Sequence, residues 1–307
     1  MTKFVRLAAA FTVCFFVAGQ SWAQTKSFET LNQNVEQGGV VLIRILPQWQ
    51  GTMVCVSAFG RQYIPNKYGH VFIGVDVNTE PTDTQEMPDK YRAYLVECGR
   101  GVRLDWYYDE ITVLKKDFGT PWYAGPVKMP NKAVQERRAK DVALMRVAYD
   151  KADKYDSHAS GDFIFPLINV EITDNFGTPR LYGQRDKKTK KIKIQQIIYH
   201  AGTDLRARTP LPVMAINSGK VLLAHYFPLS GTEGNLLVID HGSGILSLYL
   251  HLSKFKVKAG DKVEKGQVVA FTGATPRGTP PHLHFMIKVH GTNVDPLAFI
   301  GIMNQHP

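Results

Sequence analysis

The sequence predicts a mainly β protein, two β units joined by a helix. Three observations carry that reading. Short apolar runs rich in Val, Ile, Phe and Tyr recur along most of the chain, with Gly, Pro, Asn and Asp between them, as strands and turns require. A single stretch, opening at Asn131 and running to about Lys154, departs from this: Val134, Arg138, Val142, Met145 and Tyr149 recur at helical spacing. Near the C-terminus one β run contains His282-Leu283-His284. Residues two apart on a strand share a face, so both imidazoles look into one cleft while Leu283 turns into the core.

In chain order, Lys3 and Arg6 precede an apolar run over 7–19, and Ser21-Trp22-Ala23 supplies small residues for a cleavage site. Residues 1–23 therefore read as a secretory signal peptide, too short for a good membrane span. Cys14 falls inside it, without the small residues that precede a lipidated cysteine. Residues 24–118 form the first β unit, a small sandwich with strands at 40–45, 52–59, 70–77, 91–98 and 111–115 and a hairpin at 60–65. Its cysteines, Cys55 and Cys98, are an even pair in an exported chain, which suggests a disulfide; two buried thiols are the alternative. Residues 119–160 are a linker, broken by Pro121, Gly125 and Pro130 before the helix begins. Residues 161–307 return to β, with strands at 220–226, 236–240, 245–250, 267–272 and 282–289 in a mostly antiparallel sheet.

The histidines of that second unit carry the chemistry. Upstream of His282-Leu283-His284 lie Tyr249-Leu250-His251 and His200-Ala201-Gly202-Thr203-Asp204, each in its own β segment. Two imidazoles and a carboxylate with one open position make a hydrolytic zinc site. By contrast, His241 sits in Asp240-His241-Gly242-Ser243-Gly244, a turn between two apolar strands, and has a hairpin role. His70, His158, His225, His290 and His306 lack any partner pattern and read as surface or loop residues.

The order of these motifs resembles the M23 zinc peptidases of the LytM and lysostaphin type, which cut peptidoglycan. The resemblance spans about 165 to 300. It runs from Phe165-Pro166, Thr173-Asp174-Asn175-Phe176-Gly177 and Arg180 through the His200 to Asp204 segment and Asn235 to Gly242. It continues in Tyr249 to Leu252, Gly260 to Gln267 and His282 to Phe285, and ends in Val294-Asp295-Pro296-Leu297. It implies an antiparallel LytM-type catalytic domain holding one Zn2+ per chain through His200, Asp204 and His284. His251 and His282 are then the catalytic pair, with His251 the candidate general base, although the two roles are not separable from sequence. An all-β module ahead of the catalytic domain also suits the resemblance, with positioning, wall docking or occlusion of the cleft as its candidate roles. Two departures bear on substrate preference: Pro280-Pro281 precedes His282, and Met286 follows Phe285.

The resemblance implies an exported zinc endopeptidase acting on peptide stems or cross-links of peptidoglycan. The alternative is a catalytically inactive relative that binds the wall or activates an amidase, against which stands the presence of all five site residues. Gly260 to Gln267 also resembles the repeats of biotinyl and lipoyl carrier domains, but no modifiable lysine sits at a hairpin tip between apolar neighbours. Over the full 307 residues the net charge is +10. Export excludes nucleic acid as a partner and leaves peptidoglycan and anionic wall polymers, with no stable membrane anchor once the signal is removed. The periplasm is favoured over the extracellular space. The densest charge, Lys187 to Lys193, interrupts the segment between Arg180 and His200 and is placed to overhang the cleft.

Overall fold

The computed structural model describes every residue except 1–25, 52, 83–87, 128–129, 209, 229–233, 277–279 and 307. The expected signal peptide, residues 1–23, lies outside the described residues.

The first unit contains β1 (Phe28–Thr30), β2 (Asn34–Glu36), β3 (Val40–Ile45), β4 (Val54–Ala58) and β5 (Arg61–Tyr63). It continues with β6 (His70–Gly74), β7 (Arg92–Glu97), β8 (Asp109–Glu110) and β9 (Thr112–Leu114). Sheets ordered β1-β3-β6 and β5-β4-β7-β8 close over Phe28, Ile43, Val56, Ile73 and Leu95, with β2 and β9 paired beside them. The turn from β4 to β5 is Phe59-Gly60, both at positive φ, the two-residue geometry whose twist suits a hairpin. Cys55 and Cys98 are bonded, tying β4 to the end of β7.

The apolar run of β3 is nearly unbroken because both its faces are covered. Val41, Ile43 and Ile45 point into the sandwich, while Val40 and Leu42 point the other way, into the core of the second unit. β6 repeats the pattern, with Val71 and Ile73 on one side and Phe72 on the other. One sheet thus walls two cores. Polar contacts seal the junction: the Asp295 N–H donates to the Gly38 carbonyl at 2.7 Å, and the buried Asn66 amide donates to Ser243 Oγ at 3.0 Å.

Between the units the linker is more ordered than its prolines predict. It forms β10 (Trp122–Gly125), which pairs in parallel with a strand of the second unit, and α1 (Lys132–Asp150). The Asn131 side chain caps α1 by accepting the Val134 N–H. Only the last turns of α1 pack: Met145 and Ala148 are buried, whereas Val142, expected on the apolar stripe, is 56% exposed.

The second unit follows with β11 (Ile172–Asp174), β12 (Pro179–Arg185), β13 (Ile192–Tyr199), β14 (Thr203–Arg206), β15 (Pro212–Met214) and β16 (Gly219–Phe227). Then come β17 (Gly234–Asp240), β18 (Ile245–Leu252), β19 (Lys254–Phe255), β20 (Lys262–Val263), β21 (Val268–Phe271), β22 (His282–Val289), β23 (Thr292–Val294) and α2 (Pro296–Gln305). The principal sheet runs β11-β14-β22-β18-β17-β16-β20, with β23 on β22. One face buries Leu205, Leu237, Tyr249, Leu283 and Phe285 in the core shared with β3 and β6. The opposite face buries Leu236, Leu248, Leu250 and Met286 with α1. α2 was not anticipated, although Asp295 caps it and Pro296 opens it, an ordinary helix start.

β12 and β13 form a long hairpin whose tip, Asp186 to Lys191, is the lysine-rich segment; the Asp186 carboxylate accepts the Lys188 and Thr189 N–H groups there. His200 lies at the opposite end. Strands of this length carry the tip about 20 Å along the hairpin from the histidine. The tip residues are not among those lining the cleft beside the histidines.

His241 is fully buried in the turn from β17 to β18. One ring nitrogen, Nδ1, donates to the Ser218 carbonyl at 2.8 Å, and Nε2 faces Ser247 Oγ at 2.8 Å. His290, placed on the surface by the sequence reading, is instead packed at the junction against the Tyr63 ring. Burial lowers both pKa values to about 4.

Two expectations follow. Because β3 and β6 serve both cores, Phe72→Ala should cost about 3 kcal/mol or more, and urea unfolding of the parental protein should be one transition by both fluorescence and circular dichroism. Separate transitions would show the units to be independent. Between about pH 6.5 and 4 the unfolded chain binds protons that folded His241 and His290 refuse, so stability falls as pH falls through that window and is fully present above it. For His241 alone the loss is about 3 kcal/mol. A His241→Gln variant should show a shallower acid decline in urea midpoint, and an unchanged decline would count against this account.

Candidate metal centre

The site is assembled by strand register. β14 and β22 run antiparallel with Asp204 opposite His284 and Arg206 opposite His282. Alternation then places these four on one face while Leu205 and Leu283 are buried on the other. Close approach of the strands requires Gly202: a Cβ there would lie 2.4 Å from the Phe285 carbonyl oxygen.

His251 reaches the same face by a different route. Alternation on β18 would put it beside Tyr249, on the opposite side of the sheet. The pairing of β17 with β18 shifts between Asn235 and Leu237, so an extra residue is accommodated, and His251 adopts φ 63°, a left-handed conformation uncommon outside glycine. That bulge turns its ring onto the site, 4.7 Å from the His282 ring and 5.8 Å from the His284 ring.

His200 comes from the loop after β13 and is held by the segment after β11. Its Nδ1 donates to the Asn175 carbonyl at 2.8 Å, and its own backbone exchanges hydrogen bonds with Gly177 and Thr178. With Nδ1 protonated, the Nε2 lone pair faces Asp204 and His284.

Three donor atoms converge there. His284 Nδ1 lies 2.7 Å from Asp204 Oδ1, His200 Nε2 lies 3.2 Å from the same oxygen, and the two nitrogens are 3.0 Å apart. Ligands at zinc distances in a tetrahedral shell are about 3.3 Å apart. A shared proton could serve only one of these three contacts, whereas a cation serves all. The two-imidazole, one-carboxylate set therefore fits zinc. Burial raises the Asp204 pKa, but the adjacent His200 and His284 rings outweigh it and hold the carboxyl well below its usual range. Burial lowers the pKa of His284.

The remaining two histidines have fixed tautomers. His251 Nδ1 donates to the Thr275 carbonyl at 2.8 Å and His282 Nδ1 to the Pro280 carbonyl at 2.9 Å, leaving each Nε2 lone pair available to the cleft. Burial, with the nearby His284 and His282, lowers the His251 pKa to about 4 and keeps the ring neutral. Pro280, one of the two departures, thus provides a carbonyl that orients His282. Met286, the other, lies in the core against α1 and does not meet the cleft.

Sequence reasoning missed several participants. Asp174 Oδ2 accepts from Arg180 at 2.8 Å and lies 3.4 Å from His200 Nδ1, and Arg180 is itself 3.9 Å from Asp204. The Arg180 guanidinium stacks on Trp122 of β10, 5.4 Å from the ring centre. A cleft of about 420 Å³ opens beside the donors, lined by Thr173, Asp174, Asp204, Arg206, Arg208, Pro280, Pro281 and His282. No described residue of the first unit is among those lining it.

This is a metallopeptidase constellation on a β sheet, and residues 198–296 match Peptidase family M23. The chain is 41% identical over 147 residues to peptidoglycan DD-endopeptidase ShyB of Vibrio cholerae, covering 48% of this chain and 32% of that protein. Similarity to lysostaphin of Staphylococcus simulans is 38% identity over 106 residues, covering 33% and 21%. The chain thus matches about a third or less of the length of these relatives. A solved Pseudomonas aeruginosa protein described as a candidate M23 peptidase shares the fold over 86% of this chain and 94% of its own, with TM-score 0.60 and 22% identity.

Proposed function

We propose that the protein is an exported zinc endopeptidase that hydrolyses peptide stems or cross-links of peptidoglycan, acting in the periplasm. The observation that carries this is the convergence of His200 Nε2, Asp204 Oδ1 and His284 Nδ1 beside two tautomer-fixed histidines in an open cleft. The named activities of ShyB and lysostaphin support the substrate class. The Cys55–Cys98 bond supports an oxidising compartment.

His200, Asp204 and His284 would hold the ion, which when bound supplies Lewis acidity and makes a coordinated water easier to deprotonate. His251 Nε2, kept unprotonated by burial, takes a proton from the attacking water and can return it to the leaving amine. His282 Nε2, adjacent to it, shares the relay by accepting a proton, and once protonated it can donate to the developing oxyanion. Arg180 and Asp174 fix the surroundings of His200 and Asp204 so that little reorganisation accompanies the reaction.

Replacing His284 by Ala removes a donor from strand β22 and should abolish stoichiometric zinc while leaving the first unit folded. Elemental analysis that finds full zinc in the variant would sink the ligand assignment. His251→Ala should keep the metal and lose about 10² to 10⁴ in rate on purified sacculi. Parental digestion rates by that variant would remove His251 from the chemistry. Zinc retained by a parental protein that digests nothing would favour the inactive, wall-binding alternative.

A further inference from the structure

We propose that Arg206 and Arg208 form a carboxylate-binding subsite, so that the bond cleaved is one flanked by a free carboxylate, as in a diaminopimelate cross-link, and not a glycine bridge. This rests on the hydrolase reading above.

The first support is position. Arg206 stands two residues from Asp204 on β14, on the same face and directly across from His282. Two residues of strand span about 7 Å, the separation of a peptide's scissile amide from a group on the neighbouring residue. Arg206 and Arg208 both line the cleft that the donors open into.

The second support is charge. Asp204 faces His200 and His284, and Asp174 is paired with Arg180, so neither lining carboxylate is available to the two arginines. Glu171 lies 3.0 Å from Arg206 Nε, and the Arg206 N–H donates to the Glu171 carbonyl at 2.8 Å, which fixes this strand end. That ion pair offsets the Arg206 charge while holding its guanidinium at the cleft wall, so the uncompensated charge of the two is that of Arg208. Arg208 is exposed and makes no ion pair with any described residue. The cleft beside a bound cation therefore has surplus positive charge. A carboxylate offers matching bidentate acceptors, whereas a polyglycine segment offers only carbonyls that a planar guanidinium meets less well.

The test uses the zinc-loaded full chain and two soluble cross-linked muropeptide dimers, identical except that the diaminopimelate carboxylate next to the scissile amide is free in one and amidated in the other. The expected result is a kcat/KM about 10- to 100-fold higher for the free acid, with the ratio falling towards one in Arg206→Met/Arg208→Met. Calorimetric affinities for the disaccharide-tripeptide product, acid against amide, should show the same preference. Arg208→Gln alone, at an exposed bend, should lower the ratio in part and covers failure of the double variant to fold. Equal kcat/KM for the two dimers in the parental protein, or a ratio that survives in the variants, overturns the subsite. If the zinc-loaded protein cuts neither dimer, the hydrolase reading falls, and equal product affinities then overturn the subsite as well.

Discussion

The antiparallel register of β14 against β22 is the constraint on which the remainder depends. It sets Asp204 against His284 and Arg206 against His282. A slip of one residue would turn these polar side chains into the core and bring Leu205 and Leu283 onto the open face. The two leucines are fully buried, so the apolar face enforces the register that the polar face uses. Burial offsets the cost of holding three electron-rich atoms within about 3 Å of one another, an arrangement that is electrostatically poor without a cation and favourable with one.

His251 shows how the sheet is adapted where regular geometry does not suffice. A flat β18 would present only Leu250 to the site. The bulge supplies the missing ring at the expense of a left-handed backbone at a non-glycine residue, and the Thr275 carbonyl secures the result. Local strain is thus concentrated at the residue best placed to move a proton.

The legibility of the site follows the same physics. His282 and His284 were readable because period two is a property of any strand, and the apolar run of β3 was readable as a strand because its composition suits one. The same period places Arg206 on the face of Asp204, so that residue was within reach of sequence argument and was passed over. Resemblance, not periodicity, identified His251, since alternation assigns it to the wrong face and no composition reveals a bulge. Non-local pairing hid β10, whose partner β12 lies far along the chain and which is flanked by prolines. The sandwich of the first unit was expected from turn spacing. That one of its sheets also walls the second core was not, because the unbroken apolar pattern of β3 does not name the partner on either side. The helix α1 was located by its cap and period, yet its burial was overestimated because spacing alone does not measure how much of a stripe finds a partner.

Contact between the first unit and the site follows from these pairings. Gly38 lies against Phe176, where an added Cβ would come 2.5 Å from the ring. Phe118, at the end of the first unit, packs edge-on against Phe176 and tilted against Tyr199. Those two aromatics flank Asn175 and His200, the carbonyl and imidazole whose hydrogen bond fixes the ligand tautomer. Further along, Trp122 stacks under Arg180, which holds Asp174 beside the same histidine. The first unit and its linker therefore reach the surroundings of His200 through packed rings. Packed rings behind a ligand's hydrogen-bond partner limit the positions that ligand can take, and they do so here with no described residue of the first unit lining the cleft.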